Sequence, residues 1–245
     1  MTQINRDTWD FDGMLADLRS NRRFAFVRYS DGDWNCVFQR TGGIAEEHTY
    51  RPDLGNALRS AIYSAPDYHL GLMPSMLTPD KWWASHPTIE FVESHPDLRW
   101  CSSMILHKAS MAGRLGEFFN ALQYSQREIV LISHAGMYAM TPWLGKFIHY
   151  VIPDHDCWDR REAIGHVIQK AAEKDRILLF ACSMPAKVWI RKAWNADGAA
   201  ALIDVGSVFD PYINDNSRTY MQRSEHKLAA PLYDSPAKGN GNEVT

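Results

Sequence analysis

The stretch FVRYSDGDWNCVF, residues 26 to 38, carries two carboxylates at i and i+2, Asp31 and Asp33, with Gly32 between them and Arg28 just before. Two hard oxygen ligands that close together suit Mg²⁺ or Mn²⁺, ions that commonly bridge to substrate phosphates. Arg28 could meet a phosphate with its planar fork, and Gly32 would let the backbone come close to a ligand. The same spacing also describes an ordinary turn, because Gly accepts positive φ and Asp bonds its own backbone. Position adds weight to the chemical reading. The acids follow an apolar run that reads as a strand, and ligands of α/β sheets gather at the carboxyl ends of strands.

Further polar groups stand just past other apolar runs. Ser133, His134 and Gly136 follow EIVLI and would face a nucleotide or sugar; the histidine could equally bond loop backbone. Ser183 to Lys187 follow LLFAC and open a helix, whose free N–H groups and lysine would favour a diphosphate; a plain strand-to-helix turn is the other reading. Asp204 and Gly206 end the last apolar run, where Asp204 could accept a sugar or ribose hydroxyl or cap the next turn. Asp210 and Tyr212 are weaker candidates of that type. His107, with Lys108, could supply a base for an acceptor hydroxyl, although a surface or core histidine is the plainer reading; Glu47 could serve likewise, with a solvated edge strand the plainer reading. Trp82 and Trp83 could stack on an acceptor ring or fill core. The triplet His155-Asp156-Cys157 lacks the spacing and the fourth ligand of a zinc site.

Elements that would position these residues are legible as short continuous apolar runs: Arg23 to Tyr29, Glu128 to Ser133, Ile148 to Ile152, Arg176 to Cys182 and Ala201 to Val205. Runs of this kind fit strands buried on both faces of a parallel sheet. Between them, residues 156–174 place Ile164, Val167, Ile168, Ala171 and Ala172 on one helical face, with Asp156 as N-cap. Residues 184–198 offer Pro185 at an early helical position and Gly198 near the stop. Strand, helix, strand, helix, strand from residue 148 to 205 is the pattern of a doubly wound α/β fold, one Rossmann-like domain with a mainly parallel sheet flanked by helices. Residues 59–114 are rich in Pro, Met and Trp and read as loops and short helices over the sheet, a substrate wall. The expected domain spans 1–233; residues 234–245 have the composition of a flexible tail.

The 245 residues are 45% hydrophobic and 22% charged, with a net charge of -3, so a sizeable core is expected and a broad basic footprint for nucleic acid is not. Four cysteines without a C-x-x-C pair suit a reducing compartment. The start of the chain is polar, and no run reaches the roughly 18 apolar residues of a membrane helix. The expectation is a soluble cytoplasmic protein with no membrane span.

FAFVRYSDGDW resembles the opening motif of the GT-D-type glycosyltransferases, a family long known as a domain of unknown function, whose motif reads Arg-Phe-Gly-Asp-Gly-Glu. LLFACSMPAKVWIRKAW is similar to that family's strand, Gly-Pro-Thr-Ala-Lys-like turn and helix, and ALIDVGSVFDPY to its closing strand, Asp-hydrophobic-Gly and acidic-aromatic segment. EIVLISHAG occupies the place of a family strand ending in a Gly-containing loop. The resemblance runs from Phe24 to about Tyr212. It implies a Rossmann-like domain that moves a hexose, glucose or another, from a UDP-sugar to an acceptor hydroxyl with Mn²⁺ or Mg²⁺. Family members act mostly on glycans or glycoproteins; a modified nucleobase is a conceivable acceptor as well.

The family's Asp-x-Glu maps onto Asp31 and Asp33, the expected catalytic and metal-binding acids, the second shortened by one methylene. Expected donor contacts are Arg28, Tyr29, Ser30 and Gly32 at the first motif, then Ser133, His134 and Gly136, then Ser183 and Lys187, and last Asp204 and Gly206. The family's Gly before the first acid is Ser30 here, and its His after Asp-hydrophobic-Gly is Ser207. Two rival readings stand beside transfer: a metal-dependent phosphohydrolase, with Asp204 as a further acid, and a nucleotide-sugar-binding protein without activity.

Overall fold

The computed structural model describes residues 4–44, 48–78, 86–196, 198 and 201–213. Glu47, Trp82, Trp83 and the 234–245 tail lie outside them. Among the described residues, nine strands run in chain order: β1 (Phe24–Tyr29), β2 (Gly43–Ile44), β3 (His48–Thr49), β4 (Tyr68–Leu72), β5 (Trp100–Ser102), β6 (Glu128–Ser133), β7 (Phe147–Val151), β8 (Arg176–Ala181) and β9 (Ala201–Asp204). Seven of them form one parallel sheet in the order β5-β4-β1-β9-β8-β6-β7, and β2 and β3 make a small antiparallel pair. All seven carboxyl ends therefore open on one rim.

Strand alternation divides the core into two layers. Ala25, Val27 and Tyr29 of β1 pack with Trp34, Leu58 and Trp189 on one face; Phe24 and Phe26 pack with Leu18, Leu106 and Phe118 on the other. On β8, Leu178 and Phe180 join the first layer and Ile177 and Leu179 the second. Both faces are covered, which is why these strands read as unbroken apolar runs.

Three expectations need correction. First, Asp31-Gly32-Asp33 is not a turn between elements. It is the first turn of a helix, Asp31–Val37, with Ser30 at its N-cap. Second, residues 59–114, read as loops and short helices, contain the strands β4 and β5 between short helices such as Pro87–Glu93 and Ile105–Met111. Third, Asp156 caps no helix by its side chain: it has φ 43, its Oδ1 accepts from the Thr49 N–H at 2.9 Å, and the helix Arg161–Ala172 begins after a 3₁₀ turn, Cys157–Arg160. Val167 is 39% exposed, so the buried face of that helix is Gly165, Ile168, Ala171 and Ala172.

Candidate active site

At the rim, the ends of β1, β9, β8 and β6 border a cavity of about 580 Å³. Ten of the expected site residues line it: Arg28, Ser30, Asp31, Gly32, Asp33, His134, Ser183, Lys187, Asp204 and Gly206. Tyr29, Ser133 and Gly136 do not. Alternation sends Arg28 to the cavity and Tyr29 into the apolar layer, where its hydroxyl donates to Leu58 O at 3.0 Å. Ser133 is fully buried and bonds His149 Nε2 at 2.9 Å. Gly136 acts from behind. Its N–H donates to His134 Nδ1 at 3.2 Å, and a Cβ there would lie 2.9 Å from His134 Cε1. A ring that accepts at Nδ1 keeps its neutral proton on Nε2, so His134 presents a donor.

Arg28 spans two strand ends. Its Nε donates to Ser103 O at 2.8 Å and its Nη1 to Val205 O at 3.1 Å. The chain can pass this close only because residue 206 is glycine: φ is +53, and a Cβ would sit 2.0 Å from Arg28 Nη1.

The two acids of the first motif have different surroundings. Asp31, at the first helical position, is exposed and borders the cavity. Asp33 is 1% exposed and turns back on its own helix start. Its Oδ2 accepts from the Ser30 N–H and hydroxyl, each at 2.8 Å, which is a capping interaction. Its Oδ1 makes no hydrogen bond but lies 3.3 Å from Lys187 Nζ. Lys187 is buried too, and its ammonium also reaches Asp204 Oδ2 at 3.1 Å and Ser183 O at 3.1 Å. Asp204 Oδ2 in turn accepts from the Arg28 N–H at 3.3 Å. Burial pushes the Asp33 carboxyl above its ordinary value, against the pull of Lys187. Burial works against the Lys187 charge as well, but Asp204 and Asp33 outweigh it and hold the ammonium above its usual range.

Lys187 is therefore a lock between two carboxylates, with its ammonium also donating to Ser183 O. That corrects the expectation of a lysine reaching for a diphosphate. The helix start beside it is also less open than expected. Pro185 has no N–H, and the N–H groups of Ala186 and Lys187 bond Ser183 O and Met184 O. Ser183, at φ 55, makes the tight exit from β8.

Structure adds residues to the site that the sequence did not single out: Ser103, His48, Cys182 and Asp154 all line the cavity. Asp154 follows the expected strand Ile148 to Ile152, so the strand-end rule was enough to find it. Ser103 follows the unexpected β5 and carried no signal. Of the weaker candidates, His107 and Asp210 line the cavity, whereas Tyr212 packs edge-on against Phe119 and Trp143.

Five aspartates (31, 33, 154, 204 and 210) and two strong cations, Arg28 and Lys187, line the cavity, a formal excess of three negative charges. A phosphate-bearing ligand would add to it, so a cation entering with the ligand suits the charge balance. Among the described residues no group of three or more His, Cys, Asp or Glu could hold a metal by itself. The donor set fits an ion that takes one carboxylate from the protein and the remaining oxygens from ligand phosphates and water. Asp31 can give that carboxylate. Asp33 also lines the cavity, but it is buried, with Oδ2 bonded to Ser30 and Oδ1 beside Lys187.

Comparison with known proteins places this architecture. No family model and no curated protein matches the chain. Among solved structures, the chain is similar to one described as the highly conserved domain of unknown function 1792 with a distinct glycosyltransferase fold. The TM-score is 0.58 at 15% identity, covering 84% of this chain and 79% of the other. A selenomethionine-substituted structure of the same domain matches with the same figures. The chain thus has a glycosyltransferase fold, the α/β architecture that its motifs resemble. Among the described residues, no helix is long and apolar enough to cross a membrane.

Proposed function

We propose that the chain is a glycosyltransferase that moves a sugar, a hexose such as glucose, from a UDP-sugar to an acceptor hydroxyl. One observation carries the reading: on a glycosyltransferase fold, the cavity at the strand ends joins Arg28, the His134 donor and the free carboxylate of Asp31. Arg28 is already oriented by two carbonyls and has its remaining nitrogen for a diphosphate oxygen. His134 adds a donor at Nε2. Asp204 closes the site from β9, neutralised by Lys187, so that the donor meets one fixed wall.

Asp31 would hold Mn²⁺ or Mg²⁺ together with the donor diphosphate, and the ion would neutralise charge on the leaving group. Acceptors of the glycan or glycoprotein type, or a modified nucleobase, would enter from the open side.

Incubation with UDP-glucose and Mn²⁺, without acceptor, tests the reading through slow UDP release. A thermal shift without turnover would instead favour a nucleotide-sugar-binding protein. Hydrolysis of simple phosphate esters would favour a phosphohydrolase.

A further inference from the structure

Two loops that Arg28 ties together hold a second pair of reactive groups. The loop after β5 supplies Ser103 and, on the helix Ile105–Met111, His107; the loop after β9 supplies Val205, Gly206 and Ser207. Arg28 bonds Ser103 O and Val205 O. Next along the same seam, His107 Nε2 lies 3.4 Å from Ser207 Oγ, across 100 residues of chain. Both line the cavity. Ser207 is half-buried, and His107 behind it is 3% exposed. A hydroxyl backed by an imidazole thus faces the cavity two residues from a carbonyl that orients Arg28.

On the reading proposed above, Arg28 meets the donor diphosphate. The anomeric carbon is bonded to that diphosphate, so the attacking hydroxyl must enter this same cavity, opposite the bond that breaks when the configuration inverts. Three of the cavity's other acid–base groups are already engaged. Asp33 and Asp204 are ion-paired to Lys187, and His134 directs Nδ1 at the Gly136 N–H.

We infer that Ser207 and His107 form the proton relay that activates the acceptor: its oxygen bonds the anomeric carbon, the bond to the diphosphate breaks with its electron pair leaving on the diphosphate oxygen, the acceptor proton passes to Ser207 Oγ, and the Ser207 proton passes to His107 Nε2. The contact is long for a hydrogen bond, as such pairs often are before substrate tightens them. Ser207 touches the acceptor; His107 acts through it.

This inference rests on the glycosyltransferase reading, and one set of measurements separates the two. UDP affinity is measured by calorimetry with Mn²⁺, and UDP release from UDP-glucose, with water as acceptor, gives kcat and KM. Ser207→Ala lowers kcat by about 100-fold or more while KM and UDP affinity stay within about threefold, and Ser207→Thr, which keeps the hydroxyl, retains most of kcat. His107→Gln falls as far as Ser207→Ala, and the double variant falls no further, because the two act as a unit. If the buried His107 variant does not fold, the Ser207 pair carries the test. A wild-type chain that binds UDP, with a Ser207→Ala variant of unchanged kcat, overturns the relay and leaves the transferase reading standing. A wild-type chain that binds no UDP overturns both.

Discussion

Replacing Lys187 with Met would leave Asp33 and Asp204, each 1% exposed, in the core without their counter-charge. The side-chain length is kept, so the loss is electrostatic. Ser183 O still accepts from the Ala186 N–H and is not orphaned. Removing one partner from a buried ion pair costs about 3–5 kcal/mol, and here one ammonium serves two acids. At about 2–4 °C per kcal/mol for a chain of this size, Tm falls by roughly 6–20 °C.

The loss depends on pH. Burial has already raised the Asp33 pKa, with Lys187 the main opposing influence. A carboxyl whose folded pKa exceeds its unfolded one contributes stability below the unfolded pKa and loses it as pH rises through the folded value. Without Lys187 the folded value climbs further, so the variant recovers relative to wild type as pH is lowered from about 8 to about 5. Asp33→Asn added to the Lys187→Met background restores part of the lost Tm at neutral pH. Differential scanning fluorimetry across that range makes the measurement. A neutral-pH Tm within about 2 °C of wild type, or a gap that ignores pH, would refute the lock.

Other variants separate the cavity's parts. Gly206→Ala forces a Cβ into the space of Arg28 Nη1 at a positive φ; it costs about 1–3 kcal/mol of stability by denaturant titration and weakens UDP binding about tenfold or more. Asp31→Asn, at an exposed position, leaves stability within about 0.5 kcal/mol but removes the gain in UDP affinity that Mn²⁺ brings, read by calorimetry with Mn²⁺ and with EDTA. Asp33→Ala, in contrast, loses the helix-start cap and strands Lys187, so it shows first as a lower Tm.

Strands buried on both faces were the most legible part of the chain. β1, β6, β8 and β9 lie in the apolar runs read from the sequence, and the half-exposed edge strand β7 overlaps its run but starts one residue earlier, at Phe147. β4 and β5 were not, for reasons visible in their residues. β4 is Tyr-His-Leu-Gly-Leu: His69 is buried through its bond to Asp7 at 2.8 Å, and Gly71 sits where Ser103 passes too close for any Cβ. β5 is three residues long and gains its outer edge partly from the bridge between Arg6 and Trp100. The site was legible as a list of strand ends, but not in its division of labour. Asp31 and Asp33 look equivalent in sequence. Helical geometry sets one at the open rim and turns the other back to Ser30 and Lys187, a residue 154 positions away. The sequence does carry one cue for that helix: Ser30 followed three residues later by an acid, just before Trp34, Cys36 and Val37.

Calorimetric titration of UDP into the protein, with Mn²⁺ and again with EDTA, tests the central claim most directly. The account predicts saturable binding at one site per chain, tighter with Mn²⁺, and weakened in Gly206→Ala. No binding heat and no thermal shift from UDP or UDP-glucose under either condition would contradict it.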